Sequence, residues 1–251
     1  MAEYRDVSAE LRTRLALERC GFRSTHSLGQ NFILDERLLA RLLDGCTVAP
    51  GDNVLEIGPG AGVMTRLLAQ RARSVLAVEI DAKLEPVLAA VLEGLDNVRV
   101  LYRDFMKADL AGMVGESFGD APYRVVANLP YYITADILMR LVTGERTPES
   151  ICIMVQREAA ERILSEPGSK QWCAMAATLR FYGSASILEE LPPDAFDPPP
   201  HVTSCFLRID RRAEPVVSPA DERLFRRLIR AAFAMRRKTL ANNLKAAFGL
   251  D

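Results

Sequence analysis

Histidine, tryptophan and paired cysteine are scarce in this chain of 251 residues, and each shortage removes a class of chemistry. Two histidines, His26 and His201, leave little material for a histidine-based metal site or a Ser-His-Asp triad. The five cysteines, Cys20, Cys46, Cys152, Cys173 and Cys205, are odd in number, widely spaced and include no C-x-x-C pair. That argues against a disulfide framework and against a zinc site, so no metal is expected. Cys152 and Cys205 stand inside apolar runs and are expected as small core residues. No apolar run reaches the roughly 18 residues needed to span a bilayer. Glu3, Asp6, Glu10 and Glu18 interrupt the first 23 residues, which also lack the apolar centre of a secretory signal. The expectation is a soluble cytoplasmic protein with no membrane contact. One-sided charge is missing too: 32 basic and 33 acidic residues give a net charge of −1, without the global basic field of a nucleic-acid-coating protein.

What is present is ordinary globular material, 49% hydrophobic and 26% charged, in a length that suits one large domain or one large and one small. Residues 1–25 read as a loosely held helical arm. Asp35 can cap a helix whose Leu38, Leu39, Leu42 and Leu43 recur at helical spacing, with Gly45 at its end. Short Val- and Ile-rich runs follow at Val54–Ile57, Val75–Ile80, Val98–Leu101, Val125–Ala127 and Ile151–Val155. Helix-like stretches at Met64–Ala72, Lys83–Leu92 and Ile137–Leu141 separate them. This alternation predicts a doubly wound α/β domain, a parallel sheet with helices on both faces. Ligands of such sheets bind beyond the carboxyl ends of the strands. After Gly168, Met175–Tyr182 and Thr203–Ile209 read as paired strands joined by a proline-rich stretch from Leu191 to Pro200. Only a helical pattern remains from Pro219 onward, and a boundary is expected near Arg211–Pro219. The division is an arm (1–25), a main domain (26–212) and a small helical C-terminal unit (213–251).

Three strand ends carry chemistry. Val54-Leu55-Glu56-Ile57-Gly58-Pro59-Gly60-Ala61-Gly62 is a strand entering a glycine turn and then a helix. Its third glycine comes one residue too early for the dinucleotide fingerprint, and no phosphate-seeking Lys or Arg stands in the turn. The pattern E-x-G-x-G-x-G resembles the first motif of class I methyltransferases, which bind S-adenosylmethionine. Glu79, at the tip of the second strand, can accept both hydroxyls of a ribose, while Asp81 suits a helix cap. After the third strand, Asp104 can accept an exocyclic adenine amine and Phe105 can lie against the ring.

The fourth strand runs into Asn128-Leu129-Pro130-Tyr131, which matches the [N/D/S]-[I/L/P]-P-[Y/F/W] motif of enzymes that methylate exocyclic amino nitrogens. Adenine N6 is conjugated with its ring and is a poor nucleophile. Two acceptors, the Asn128 side-chain oxygen and the Leu129 carbonyl, would hold both N–H groups and localise the lone pair for in-line displacement. Pro130 fixes the turn that aims that carbonyl. Tyr131 offers an aromatic face for a flipped-out base.

With these residues in hand, the chain from about Leu28 to Lys245 closely resembles the KsgA (RsmA) family of ribosomal RNA adenine dimethyltransferases. The shared segments include Leu28-Gly29-Gln30-Asn31-Phe32, the loop Glu56–Gly62, Glu79, Asp104-Phe105, Asn128–Tyr131 and Gln156–Arg162. They continue with Phe196-x-Pro198-x-Pro200-x-Val202-x-Ser204 and Phe233–Leu244. The resemblance implies dimethylation of N6 on two adjacent adenosines in the 3′-terminal hairpin loop of small-subunit (16S) rRNA, within an immature 30S-type particle, by a monomer. It implies a cofactor site of Gln30, Asn31, Ile33, Glu56, Gly58, Gly60, Glu79, Ile80, Asp104, Phe105 and Asn128. Phe196 is either a second stacking partner for the target base or a core anchor. Gln171-Trp172-Cys173 stands where the family often has Tyr-Gly, and the family usually continues for a further helix or two beyond the position of Asp251.

From Arg223 to Lys245 there are eight basic residues and no acidic one. Arg223, Arg226, Arg227 and Arg230, at three- and four-residue spacing, suit phosphate contacts on rRNA. Arg236, Arg237 and Lys238 are left unassigned. Two other readings stay open: dimethylation of large-subunit rRNA, as in the Erm resistance enzymes, and a non-catalytic RNA-binding assembly or transcription factor on the same fold.

Overall fold

The computed structural model describes residues 7–24, 29–214, 220–235 and 237–250. His26, Leu28, Pro219, Arg236 and Asp251 therefore lie outside the described residues. The chain builds one seven-stranded sheet from β1 (Asn53–Ile57), β2 (Ser74–Glu79), β3 (Val98–Tyr102), β4 (Tyr123–Asn128), β5 (Ser150–Gln156), β6 (Gly183–Leu191) and β7 (Ser204–Arg211). The order is β3-β2-β1-β4-β5-β7-β6. The first five strands are parallel, and β7 joins β5 antiparallel with β6 antiparallel outside it. Chain direction across the sheet reverses between β1 and β4, so a crevice opens at their carboxyl ends.

Helices α1 (Ala9–Arg19), α2 (Glu36–Gly45), α3 (Val63–Ala69) and α4 (Glu85–Val91) precede β3, and α5 (Leu110–Phe118), α6 (Thr134–Thr143), α7 (Arg157–Ile163) and α8 (Ala174–Tyr182) come later. Strand alternation sorts their partners. Leu55, Ile57, Val125, Ala127, Ile151 and Ile153 turn to α5 and α6, while Val54, Val75, Val126, Cys152 and Met154 turn to α2 and α3. Asp35 caps α2 by accepting from the N–H groups of Arg37 and Leu38, and all four predicted leucines are buried. The central strands are covered on both faces, which is why they read as largely apolar runs.

Two expectations need correction, and three elements were not foreseen. Met175–Tyr182 is helix α8, and the strand lies just beyond it as β6. The buried positions Ala176, Leu179 and Tyr182 fall three apart, a helical face, and the aromatics at its end mimic a strand. β6 was hidden because it is an edge strand with few buried residues and a bulge between Ile187 and Glu189. The N-terminal arm is helical but not loosely held: α1 buries Ala9, Arg12, Thr13 and Ala16 against the body, with Ala16 in a cluster with Leu84, Val87 and Leu88. Helices α5 and α7 add elements that the sequence pattern did not reveal.

The C-terminal segment forms α9 (Glu222–Ala232) and α10 (Leu240–Phe248). Phe225 packs on Phe181 of α8 with ring centroids 4.8 Å apart, and Phe233 meets Trp172 edge-on at 6.3 Å. Asn243, 2% exposed, donates to the Ala232 carbonyl and accepts from the Met235 N–H, closing the carboxyl end of α9. Among the described residues no helix is long and apolar enough to cross a membrane, and no three His, Cys, Asp or Glu side chains are grouped to hold a metal.

Candidate active site

At the carboxyl ends of β1, β2 and β4 one cavity is lined by the glycine loop, Glu79-Ile80, Asp104-Phe105, Asn128–Ile133 and the segment Gly29–Ile33. The loop folds as it does because its glycines take positive φ. Gly60 has φ +55°, and an added Cβ would stand 2.8 Å from the Phe32 ring. The ring of Phe32 therefore roofs a backbone that no larger residue could form. Phe32 itself is held by a pair of backbone hydrogen bonds to Asp197, 2.9 and 2.8 Å.

Glu79 is 4% exposed. Its Oε2 accepts the Gly60 N–H at 3.1 Å and its Oε1 accepts the Asp81 N–H at 2.8 Å, so it ties the glycine loop to the end of β2. Burial pushes its carboxyl up, and these N–H donors oppose the shift. Asp81 caps the turn Ala82–Leu84 through the Lys83 N–H and also accepts from the Gln30 amide at 2.9 Å. Asp104 accepts the Met106 N–H at 2.9 Å. Phe105 is 5% exposed, with the Arg140 guanidinium 5.4 Å from its ring centre. Arg140 also donates to the carbonyls of Met106 and Ala108, so α6 fixes the loop after β3.

At the tip of β4, Asn128 Nδ2 donates to the Asn31 carbonyl at 3.1 Å. With that donor engaged, the amide oxygen is left as the acceptor at the cavity wall. The Pro130 carbonyl accepts from the Ile133 N–H and the Thr134 hydroxyl, each at 3.2 Å, and starts α6. Leu129 is 6% exposed, whereas Tyr132, next to Tyr131, is 69% exposed at the rim. The Tyr131 hydroxyl lies 2.5 Å from Ser204 Oγ.

Gln30, Asn31, Ile33, Gly58, Gly60, Glu79, Ile80, Asp104, Phe105, Asn128, Leu129, Pro130 and Tyr131 thus share one cavity. Glu56, Phe196 and the four predicted arginines of α9 do not. Glu56 is fully buried beneath the loop, and neither carboxyl oxygen has a hydrogen-bond partner among the described residues. Burial pushes its pKa up to about 8, opposed by the nearby Thr65 hydroxyl and raised further by Glu79. Its place two residues before Gly58, on the strand face shared with Val54, points it into the α3 side, away from the cavity. Phe196 is 5% exposed in the cluster under α2 and is a core anchor rather than a cavity wall.

The basic stripe divides as well. Arg226 donates to the Thr143 carbonyl and pairs with Glu222 at 2.5 Å, while Arg227 donates to the Ala247 carbonyl and lies 4.4 Å over the Phe248 ring. These two arginines join helices, whereas Arg223 and Arg230 are exposed without an ion pair among the described residues. Arg140, Phe32 and Ser204 are positioning residues to which sequence reasoning assigned no role, although Phe32 and Ser204 stand in the shared segments. Their partners are 28 or more residues away in the chain, so no local pattern shows what they position.

Compared with known proteins, residues 21–250 match the family described as Ribosomal RNA adenine dimethylase. The chain belongs to that family. Relatives named Ribosomal RNA small subunit methyltransferase A include one from Geobacillus kaustophilus, 42% identical over 242 residues, covering 96% of this chain and 83% of the relative. Another, from Streptococcus equi subsp. zooepidemicus, is 42% identical over 94% of this chain and 82% of its own length. Among solved structures, a dimethyladenosine transferase from Plasmodium falciparum superposes with TM-score 0.70 at 25% identity, covering 83% of this chain and 73% of its own. The 23S rRNA methyltransferase ErmE gives TM-score 0.70 at 28% identity, with 88% and 86% covered. The chain is thus an rRNA adenine dimethyltransferase on the class I methyltransferase fold, with its glycine loop and N-L-P-Y tip at the expected strand ends.

Proposed function

We propose that this protein dimethylates N6 of two adjacent adenosines in the 3′-terminal hairpin loop of small-subunit (16S) rRNA. It acts as a cytoplasmic monomer on an immature small-subunit particle. The observation that carries the chemistry is the oriented Asn128 amide: its nitrogen is committed to Asn31, so its oxygen is left to accept from a substrate amine. The names and 42% identity of the bacterial relatives support the small subunit as target.

The cavity suits S-adenosylmethionine: the glycine loop lines it with bare backbone, and two acids stand at the tips of β2 and β3. When bound, that group supplies an electrophilic methyl on a sulfonium. Glu79 would hold its ribose, Asp104 and Phe105 its adenine, and Ile80, Gly58, Gly60, Gln30, Asn31 and Ile33 would line the rest of it.

The chain's own residues do the rest. Asn128 Oδ1 and the Leu129 carbonyl accept the two N6–H groups and draw the nitrogen toward tetrahedral geometry. Tyr131 stacks on the target base, a contact worth about 1–3 kcal/mol in comparable sites. No strong general base is needed, because an N-methylated adenine ammonium is acidic enough to release its proton to water. Arg223 and Arg230, on the small C-terminal unit, contact phosphates of the rRNA.

Large-subunit rRNA is the second reading, favoured by the likeness to ErmE. Immature small subunits and large-subunit rRNA are incubated separately with methyl-labelled cofactor and their nucleosides resolved by mass spectrometry. Dimethyladenosine in a small-subunit 3′ fragment is expected. Label confined to large-subunit rRNA would transfer the assignment to the second reading.

A further inference from the structure

The ring of Tyr131 is tethered at both ends. At its Cα it follows Pro130, in a turn closed by the Ile133 N–H and the Thr134 hydroxyl. At its far end the phenol oxygen meets Ser204 Oγ at 2.5 Å. Ser204 is 0% exposed and opens β7, where it pairs with Gln156 of β5 on one side and Leu191 of β6 on the other. A serine in a strand bonded on both flanks has little freedom, so its hydroxyl is a fixed point. Burial pushes the Tyr131 phenol up, so both hydroxyls stay protonated and either can donate in that bond.

A stacking face is useful only if its plane is set before the base arrives, since otherwise ordering the ring opposes binding and spoils alignment of the reacting nitrogen. We propose that Ser204 is a positioning residue: through its hydrogen bond it fixes the plane of Tyr131 on which the target adenine stacks, without touching adenine or cofactor. This rests on the function proposed above and deepens it. It also gives the antiparallel strand β7 a part in base recognition, beside its pairing with β5.

The test is a double-mutant cycle of Ser204→Ala and Tyr131→Phe in the full chain, read on immature small subunits. Each single variant is expected to lower kcat/KM by about tenfold, the upper scale of one neutral hydrogen bond, mainly through kcat. The double variant should lose no more than either single one. Cofactor affinity by calorimetry should stay within twofold of wild type. In a hairpin carrying 2-aminopurine at the target position, fluorescence should rise in Ser204→Ala as stacking loosens. Tyr131→Phe keeps the ring and leaves the strand untouched, so it reads the same bond even if Ser204→Ala folds poorly. Turnover of both single variants within twofold of wild type would overturn the proposal, as would additive losses in the double variant. Absence of transfer by the wild type would overturn the function, and the inference with it.

Discussion

Glu56 keeps a carboxyl group fully buried, with the nearby Thr65 hydroxyl too little to offset the burial, so the fold holds it neutral near pH 7. Its pKa rises from 4.5 in the unfolded chain to about 8 in the native one. The unfolded state therefore binds fewer protons between these values, and stability is full below pH 4.5 and declines as pH rises toward 8. The slope from this one group is about 1.4 kcal/mol per pH unit. Glu56→Gln, neutral at every pH, should flatten denaturant-unfolding stability across pH 5–8 by that amount. An unchanged slope would mean that the native carboxyl is ionised. Other residues at this scale were legible for plain reasons. Asn128, Pro130 and Tyr131 are contiguous, and Glu79 and Asp104 stand at strand tips, so position along the chain carried their meaning. Glu56 was misread because a motif reports which residues recur together and not which way a side chain faces. Ser204 and Arg140 act across the fold, and their partners could be seen only once the strands were in place.

Among the elements, the segment Gly29–Ile33 and the connection from Leu191 to Thr203 work as one unit. Phe196 anchors the connection in the core, Asp197 binds the Phe32 backbone, the Phe32 ring covers Gly60, and the Asn31 carbonyl orients Asn128. Phe196→Ala should cost about 3–5 kcal/mol of unfolding free energy, the usual cost of emptying an aromatic core site. It should also weaken cofactor binding. A variant with wild-type stability but slow transfer to rRNA would restore Phe196 to the stacking role. The parallel strands β1, β2, β4 and β5 were legible because burial on both faces makes them largely apolar runs, each bounded at one end or both by a polar residue. β6 and α8 were not: an edge strand has little to bury, and a short helix ending in Phe181-Tyr182 carries strand-like residues on a helical spacing.

Over the whole molecule, a near-neutral net charge conceals a local division of labour on α9. Arg226 and Arg227 fasten the C-terminal helices to each other and to α6, and Arg223 and Arg230 face solvent. Replacing Arg223 and Arg230 together by alanine should lower the slope of log affinity against log salt for rRNA by roughly 1.4–1.8, at 0.7–0.9 per phosphate contact. Cofactor binding should not change. Arg226→Ala should instead lower Tm, since it removes the link to Thr143. An equal salt effect from Arg226→Ala would contradict this division. The charge run was visible in the sequence, but helical spacing alone cannot tell an arginine that fastens two helices from one that waits for a phosphate. The most direct measurement of the account is single-turnover methyl transfer by Asn128→Ala, paired with cofactor affinity by calorimetry. A fall of at least about 100-fold in transfer, the scale of one lost transition-state acceptor, is predicted with affinity within a few-fold of wild type. Near-normal transfer by that variant would contradict the claim that the tip of β4 grips the adenine amine.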